Sequence, residues 1–154
     1  MTLTVPGGEL VVDAAYVDAP TDEIRRQARE YRTGSRESFD LPVRYPDGFL
    51  GRVMGAMAAI PYGETRTYGD VAADLGNAPQ PVGAACGRNP VPLLVPCHRV
   101  VAADGVGGFS AAGGPALKRR LLDHERSESV QTTLADAPTR ADGDDTDAGD
   151  RPDP

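Results

Sequence analysis

Residues 67–87, TYGDVAADLGNAPQPVGAACG, carry the pattern on which the fold turns. Thr67 stands directly before the short helical run Tyr68–Leu75, where its hydroxyl is placed to cap the first turn. Gly76-Asn77 ends that run, because both residues tolerate the left-handed backbone of a helix C-terminus. A proline-rich turn follows, and residues 82–87 read as a second helix beginning after Pro81. Helix, turn, helix is the resulting pattern. The second helix is built from Val, Gly and Ala with one cysteine, Cys86. Such a surface suits tight packing inside the protein or close approach of its backbone to another surface, and the residues alone weigh these two uses equally.

Toward the C-terminus the chain reads Asn89-Pro-Val-Pro-Leu-Leu-Val-Pro-Cys-His-Arg-Val-Val. An apolar run bounded by prolines delivers Cys97 with His98 directly after it. A thiolate is the strongest side-chain nucleophile near neutral pH, and an imidazole or a cation nearby lowers its pKa. On a strand the two side chains would point to opposite faces, whereas a tight turn or a bridging water would let them cooperate. Residues 115–126 place Leu117, Leu121 and Leu122 on one face beside Lys118, Arg119 and Arg120, the pattern of a terminal core helix. From Ser127 the apolar pattern stops. Residues 127–154 carry 2 basic and 8 acidic side chains and are expected to be a disordered acidic tail.

Toward the N-terminus, Phe49, Val53, Met54 and Met57 predict an amphipathic helix over residues 48–59, ending ahead of Ile60-Pro61. Residues 38–48, SFDLPVRYPDG, read as an extended linker and a turn. Before them GELVVDAAYVDA predicts one or two strands joined to a helix over 21–31, with Thr21 as its cap and Asp22 and Glu23 in its first turn. The fold class is α+β. A small α/β unit spans 1–42, a mostly helical domain 43–126, and the tail 127–154.

A chain of 154 residues is one ordinary domain, or one domain with an appendage. No apolar run approaches the roughly 20 residues of a membrane span, so a membrane protein is excluded, and no leader pattern opens the chain. A cytoplasmic protein is expected. The net charge of −7 disfavours nucleic acid until it is divided: residues 1–43 sum to −3, residues 44–126 to +2, and the tail to −6. Of 16 cations only Lys118 is lysine, against 23 acids, a composition like that of proteins from salt-loving organisms. The two cysteines are expected as free thiols, Cys86 as a small buried apolar side chain.

The string Val95-Pro96-Cys97-His98-Arg99-Val100, preceded by Asn89-Pro90-Val91-Pro92 and by Ile60-Pro61-Tyr62-Gly63-Glu64-Thr65 with Tyr68, closely resembles the O6-alkylguanine-DNA alkyltransferases, or methylated-DNA-protein-cysteine methyltransferases. The resemblance runs from about residue 39 to residue 125. It implies a DNA repair protein whose mostly helical, winged-helix-like domain carries a helix-turn-helix. Cys97 would accept the alkyl group from O6 of a guanine flipped out of the duplex, with O4-alkylthymine a further possible substrate. Because a thioether is not hydrolysed, the protein would be spent after one turnover. His98 resembles the water-linked base for the thiol, Glu125 the carboxylate that orients it, and Asn89 the residue bracing the cysteine turn. Tyr68 matches the tyrosine that donates toward N3 of the leaving guanine. Arg99 looks structural. Val100, Phe109, Ser110 and Lys118 match the substrate pocket, the segment 105–110 being its closing loop.

The resemblance further implies binding of double-stranded DNA through the minor groove by a monomer, with Thr67, Tyr68, Gln80, Gly83, Ala84, Gly87 and Arg88 at the interface. No cofactor or metal is implied: residues 1–85 contain neither Cys nor His, so the structural zinc of some relatives has no ligands here. Three departures stand out. Gln80 occupies the place of the usual arginine that fills the gap left by the flipped base. The loop 77–80 is about two residues short. The N-terminal unit is too small for the RNase H-like fold expected there. Three other readings compete. A lesion sensor of the same family would lack the reactive cysteine, a helix-turn-helix regulator would carry base-reading side chains on 82–87, and a Cys-His hydrolase would turn over repeatedly.

Overall fold

The computed structural model describes residues 1–109 and 113–136, with side chains as far as Ser127. The chain opens with an antiparallel hairpin of β1 (Thr2–Val5) and β2 (Gly8–Val11), in register Leu3 to Leu10. Period-two alternation buries Leu3, Val5, Leu10 and Val12 on one face. The turn between them needs Gly7, whose φ is +92° and where a Cβ would press on Arg120. After a single 3₁₀ turn at Ala14–Tyr16 comes α1 (Thr21–Thr33), which packs on β1. Ile24, Gln27, Ala28 and Tyr31 are its buried face, spaced by three and four residues. Thr21 is the first helical residue rather than the cap expected of it. Pro20 precedes the helix at the cap position, and no side chain caps the end.

The linker is pinned to this unit. Val17 and Val43 form a β-bridge, and the Gln27 amide bonds both backbone groups of Asp40 (3.1 and 2.8 Å). α2 (Phe49–Ala58) begins after Gly48, as the periodicity predicts, and buries Gly51, Val53, Met54 and Met57. A Cβ on Gly51 would overlap the Pro46 carbonyl oxygen, so the helix can lie against its own approach only with glycine there. β3 (Arg66–Thr67) leads into α3 (Tyr68–Leu75), where Thr67 and Asp70 form a reciprocal capping box and Gly76 closes the helix in the left-handed region. α4 (Pro79–Gly87) starts earlier than residue 82. Two prolines fit in its first turn because the first N–H groups of a helix have no intrahelical acceptor.

β4 (Val100–Val101) pairs in parallel with β3, Arg66 opposite Val100, which draws the start of α3 beside the segment just ahead of β4. α5 (Gly114–Asp136) ends the described chain. It corrects the expected start of the tail at Ser127, since residues 127–136 continue the helix. After Pro115 the sequence holds no Pro or Gly until Pro138, so nothing breaks the helix sooner. The remainder of the expected tail, residues 137–154, lies outside the described residues. One hydrophobic core runs through the whole, from Leu3 and Tyr31 through Met54, Val71, Val82 and Val95 to Leu121. Among the described residues no helix is long and apolar enough to cross a membrane.

Candidate active site

Residues 89–99 form a compact loop that presents the cysteine. Asn89 ties its two ends: its side-chain oxygen accepts from Val91 N (3.1 Å) and its amide donates to Val95 O (2.8 Å). Buried Leu93 holds a φ of 78°, rare for a branched side chain, inside this brace. Cys97–Arg99 is a single 3₁₀ turn, with Cys97 N donating to Val95 O and Arg99 N to Pro96 O. A turn of three residues sends three successive side chains in three directions, so Cys97, His98 and Arg99 do not share the opposed faces of a strand.

His98 points into the interior, with no measurable exposure. Its Nε2 lies 2.6 Å from Glu125 Oε2 on α5, while Nδ1 has no hydrogen-bond partner among the described residues. Arg99 Nε and Nη2 donate to the two oxygens of the same carboxylate (2.8 and 3.0 Å), and Nη1 to Ile60 O (2.7 Å). Gly63 N–H and the Tyr31 hydroxyl complete the set at 3.3 and 2.7 Å. Burial alone would raise the Glu125 pKa, yet these donors, His98 and Arg99 above all, hold it down at about 2. Burial is the main effect on His98 and keeps it below its ordinary value. The imidazole is therefore neutral, and Arg99 is the cation that balances Glu125.

On the other side of the turn, Cys97 opens on a cavity of about 450 Å³ lined by Tyr68, Gly83, Cys86, Gly87, Gly108 and Phe109. Desolvation pushes the Cys97 thiol up, while a hydrogen bond from the Asn89 side chain and the charge of Lys118 pull it back. Lys118 is buried and donates to the Tyr68 hydroxyl (3.2 Å) and to Gly108 O (3.0 Å), its ammonium 5.4 Å from the Tyr68 ring centre. Its own pKa is lowered by burial. Cys86 faces the same cavity, half-buried, and its thiol lies 3.6 Å from the Met57 sulfur. Burial drives it up to about 12, so it is a poor nucleophile at neutral pH.

The structure thus brings together Cys97, His98, Glu125, Asn89 and Arg99 on one side and Tyr68, Phe109 and Lys118 across the cavity. Gly83 and Gly87 line its rim, while Gln80, Ala84 and Arg88 are exposed along α4. Thr67 spends its hydroxyl on the α3 cap. Val100 is fully buried in β4, and the described lining of the cavity does not include it. Ser110 lies outside the described residues. The residue that sequence reasoning missed is Tyr31: its helix looks like any amphipathic helix, and nothing local marks a contact with a residue 94 positions away. No group of three or more potential metal ligands occurs among the described residues.

Residues 48–127 match the family model of the 6-O-methylguanine DNA methyltransferase DNA-binding domain. A protein of Archaeoglobus fulgidus named methylated-DNA–protein-cysteine methyltransferase is 40% identical over 105 residues, covering 65% of this chain and 71% of that one. The inducible protein of that name from Bacillus subtilis is 40% identical over 130 residues, covering 82% and 69%. The crystal structure of Mycobacterium tuberculosis OGT in complex with DNA superposes with a TM-score of 0.70 at 33% identity, over 82% of this chain and 92% of that one.

Proposed function

This chain belongs to the 6-O-methylguanine DNA methyltransferase family, and on that premise we propose that Cys97 is the residue that takes up the alkyl group. The function is DNA repair by transfer of an alkyl group from DNA to a cysteine of the protein itself. The observation that carries the assignment to Cys97 is that it lines the cavity while the next residue of the same turn, His98, is bonded to the buried Glu125 carboxylate. Glu125 holds the Nε2 proton of His98, which leaves the Nδ1 lone pair as the acceptor for the thiol proton, directly or through a water. The thiolate then attacks the alkyl carbon on O6 of an extruded guanine. A carbon–sulfur bond forms, the carbon–O6 bond breaks, and its electrons pass into the base. Because Lys118 donates to the Tyr68 oxygen, the Tyr68 proton is left free for a ring nitrogen of the departing guanine. The thioether is stable, so each molecule acts once.

On this reading α3 and α4 are a helix-turn-helix whose small-residue helix enters the minor groove of duplex DNA, with the protein acting as a monomer. The face of α4 with Ala84 and Gly87 exposed supports close backbone approach, and on this reading Gln80, exposed at its N-terminal end, fills the gap in the base stack. The first test is mass spectrometry after incubation with an O6-methylguanine oligonucleotide. One methyl group per molecule is expected, mapped to Cys97 with Cys86 unmodified; a label on Cys86, or product beyond one equivalent, overturns the assignment.

A further inference from the structure

Glu125 is the hub of the buried network beneath Cys97, and its two oxygens are not equivalent. Oε1 accepts from Arg99 Nε and Gly63 N–H, whereas Oε2 accepts from His98 Nε2 at 2.6 Å, the Tyr31 hydroxyl at 2.7 Å and Arg99 Nη2 at 3.0 Å. Tyr31 reaches this oxygen from α1, in the N-terminal unit. Its ring is fully buried and clasped by Phe39, Tyr62 and His124, with centroids 5.7, 6.1 and 5.1 Å away. Its backbone carbonyl lies 2.9 Å from His124 Nε2, so the residue is fixed at both ends. Burial and the carboxylate beside it raise the hydroxyl's pKa, so it remains a proton donor at every working pH.

Donors that share one carboxylate oxygen divide its charge. An imidazolium at His98 would draw its stabilisation from Oε2, and the phenol takes part of that charge away. A neutral His98 is what proton acceptance at Nδ1 requires. We propose that Tyr31 is a positioning residue for the transfer: by donating to Glu125 Oε2 it trims the charge offered to His98 and keeps that imidazole an open acceptor for the Cys97 proton. The N-terminal unit thereby takes part in the chemistry of a site built by the C-terminal helices. The ionisable groups packed around the network are Cys97 and Arg99 in the same turn, Glu125, Lys118 and His124 from α5, Tyr62 from the loop ahead of β3, Tyr31, and Tyr68 and Cys86 across the cavity. Among them the Tyr31 hydroxyl is the one whose loss alters the oxygen bonded to His98 without removing a charge.

The inference rests on Cys97 as acceptor and His98 as its base, and the test separates the two. In the full chain, Tyr31→Phe keeps the clasped ring and deletes the hydroxyl. The pH dependence of single-turnover methyl transfer and the titration of His98 followed by NMR are the readouts. His98 in the variant should titrate at higher pH, and the acid limb of the transfer profile should move up with it. At a fixed pH on that limb transfer should fall about threefold and recover on the plateau, as a displacement of roughly half a pH unit gives. Phe39→Leu loosens the clasp with the hydroxyl in place; it should lower the Tm and leave the acid limb where it was. Loss by one common factor at every pH, an unmoved limb in Tyr31→Phe, or an equal movement in both variants overturns the role of Tyr31. A wild-type protein that is not labelled on Cys97, or a His98→Ala variant that transfers at the wild-type rate, overturns the function reading instead.

Discussion

Lys118 Nζ bonds the Tyr68 hydroxyl and the Gly108 carbonyl from a side chain with 1% exposure, and its charge is among the influences that lower the Cys97 thiol. Removing that charge while keeping the volume, as in Lys118→Met, should make the thiol harder to ionise. Transfer near neutral pH should then slow about tenfold, the factor carried by one unit of acidity, and the deficit should narrow as pH rises. A deficit of the same size at every pH would mean that Lys118 serves only to hold Tyr68 and the loop at Gly108. The residues of this site differ in how legible they were. Cys97 and His98 stand in a recognisable string, Glu125 and Lys118 are legible only through the family resemblance, and the structure collects all four. Tyr31 could not be read, because the contact that gives it a role is made by folding alone. Val100 was readable only as part of the string, and folding buries it in β4.

At the scale of elements, α4 joins two demands on Gly83. A glycine inside a helix costs roughly 0.5–1 kcal/mol relative to alanine. A Cβ at that position would meet nothing closer than Tyr68 Cε1 at 3.9 Å, an ordinary contact, yet it would stand at the rim of the cavity. Gly83→Ala should therefore raise the Tm while slowing transfer, more for a bulky alkyl group than for methyl. Faster melting with unchanged transfer would show that the helix needs glycine for internal packing alone. Punctuation explains which elements were legible. α2 and α3 are bounded by Gly48, Thr67 and Gly76, and they begin and end within a residue of the expectation. α4 was placed late because prolines usually mark a turn, whereas here Pro79 and Pro81 occupy a first turn in which no N–H is needed. β3 and β4, two residues each, have no periodicity to detect. Their pairing is nonetheless what sets Tyr68 beside the cysteine turn.

For the whole molecule, the consequence of closing one core over the His98–Glu125–Arg99 cluster is a particular dependence of stability on pH. His98 is held below its ordinary 6.5 by burial, so the unfolded chain binds a proton there before the folded one does. The contribution from keeping His98 neutral is complete above about pH 6.5 and must fall as pH drops below it. Glu125 has the same sign in a lower window. Its carboxylate is held from 4.5 down to about 2, so its contribution is present above 4.5 and lost as pH falls toward 2, an amount on the order of 3 kcal/mol. Urea unfolding of the full chain should accordingly show two successive losses, one beginning near pH 6.5 and one between about 4.5 and 2. Glu125→Gln should be less stable than wild type at neutral pH, since it leaves the Arg99 guanidinium buried without its counter-charge. It should also lack the lower step, because no carboxylate remains to be protonated there. A stability that is flat from pH 8 to pH 5 would mean that His98 accepts a proton freely in the folded protein. A lower step that survives Glu125→Gln would assign it to the surface carboxylates of α1, where Glu23 and Glu30 are paired with Arg26 and Arg36.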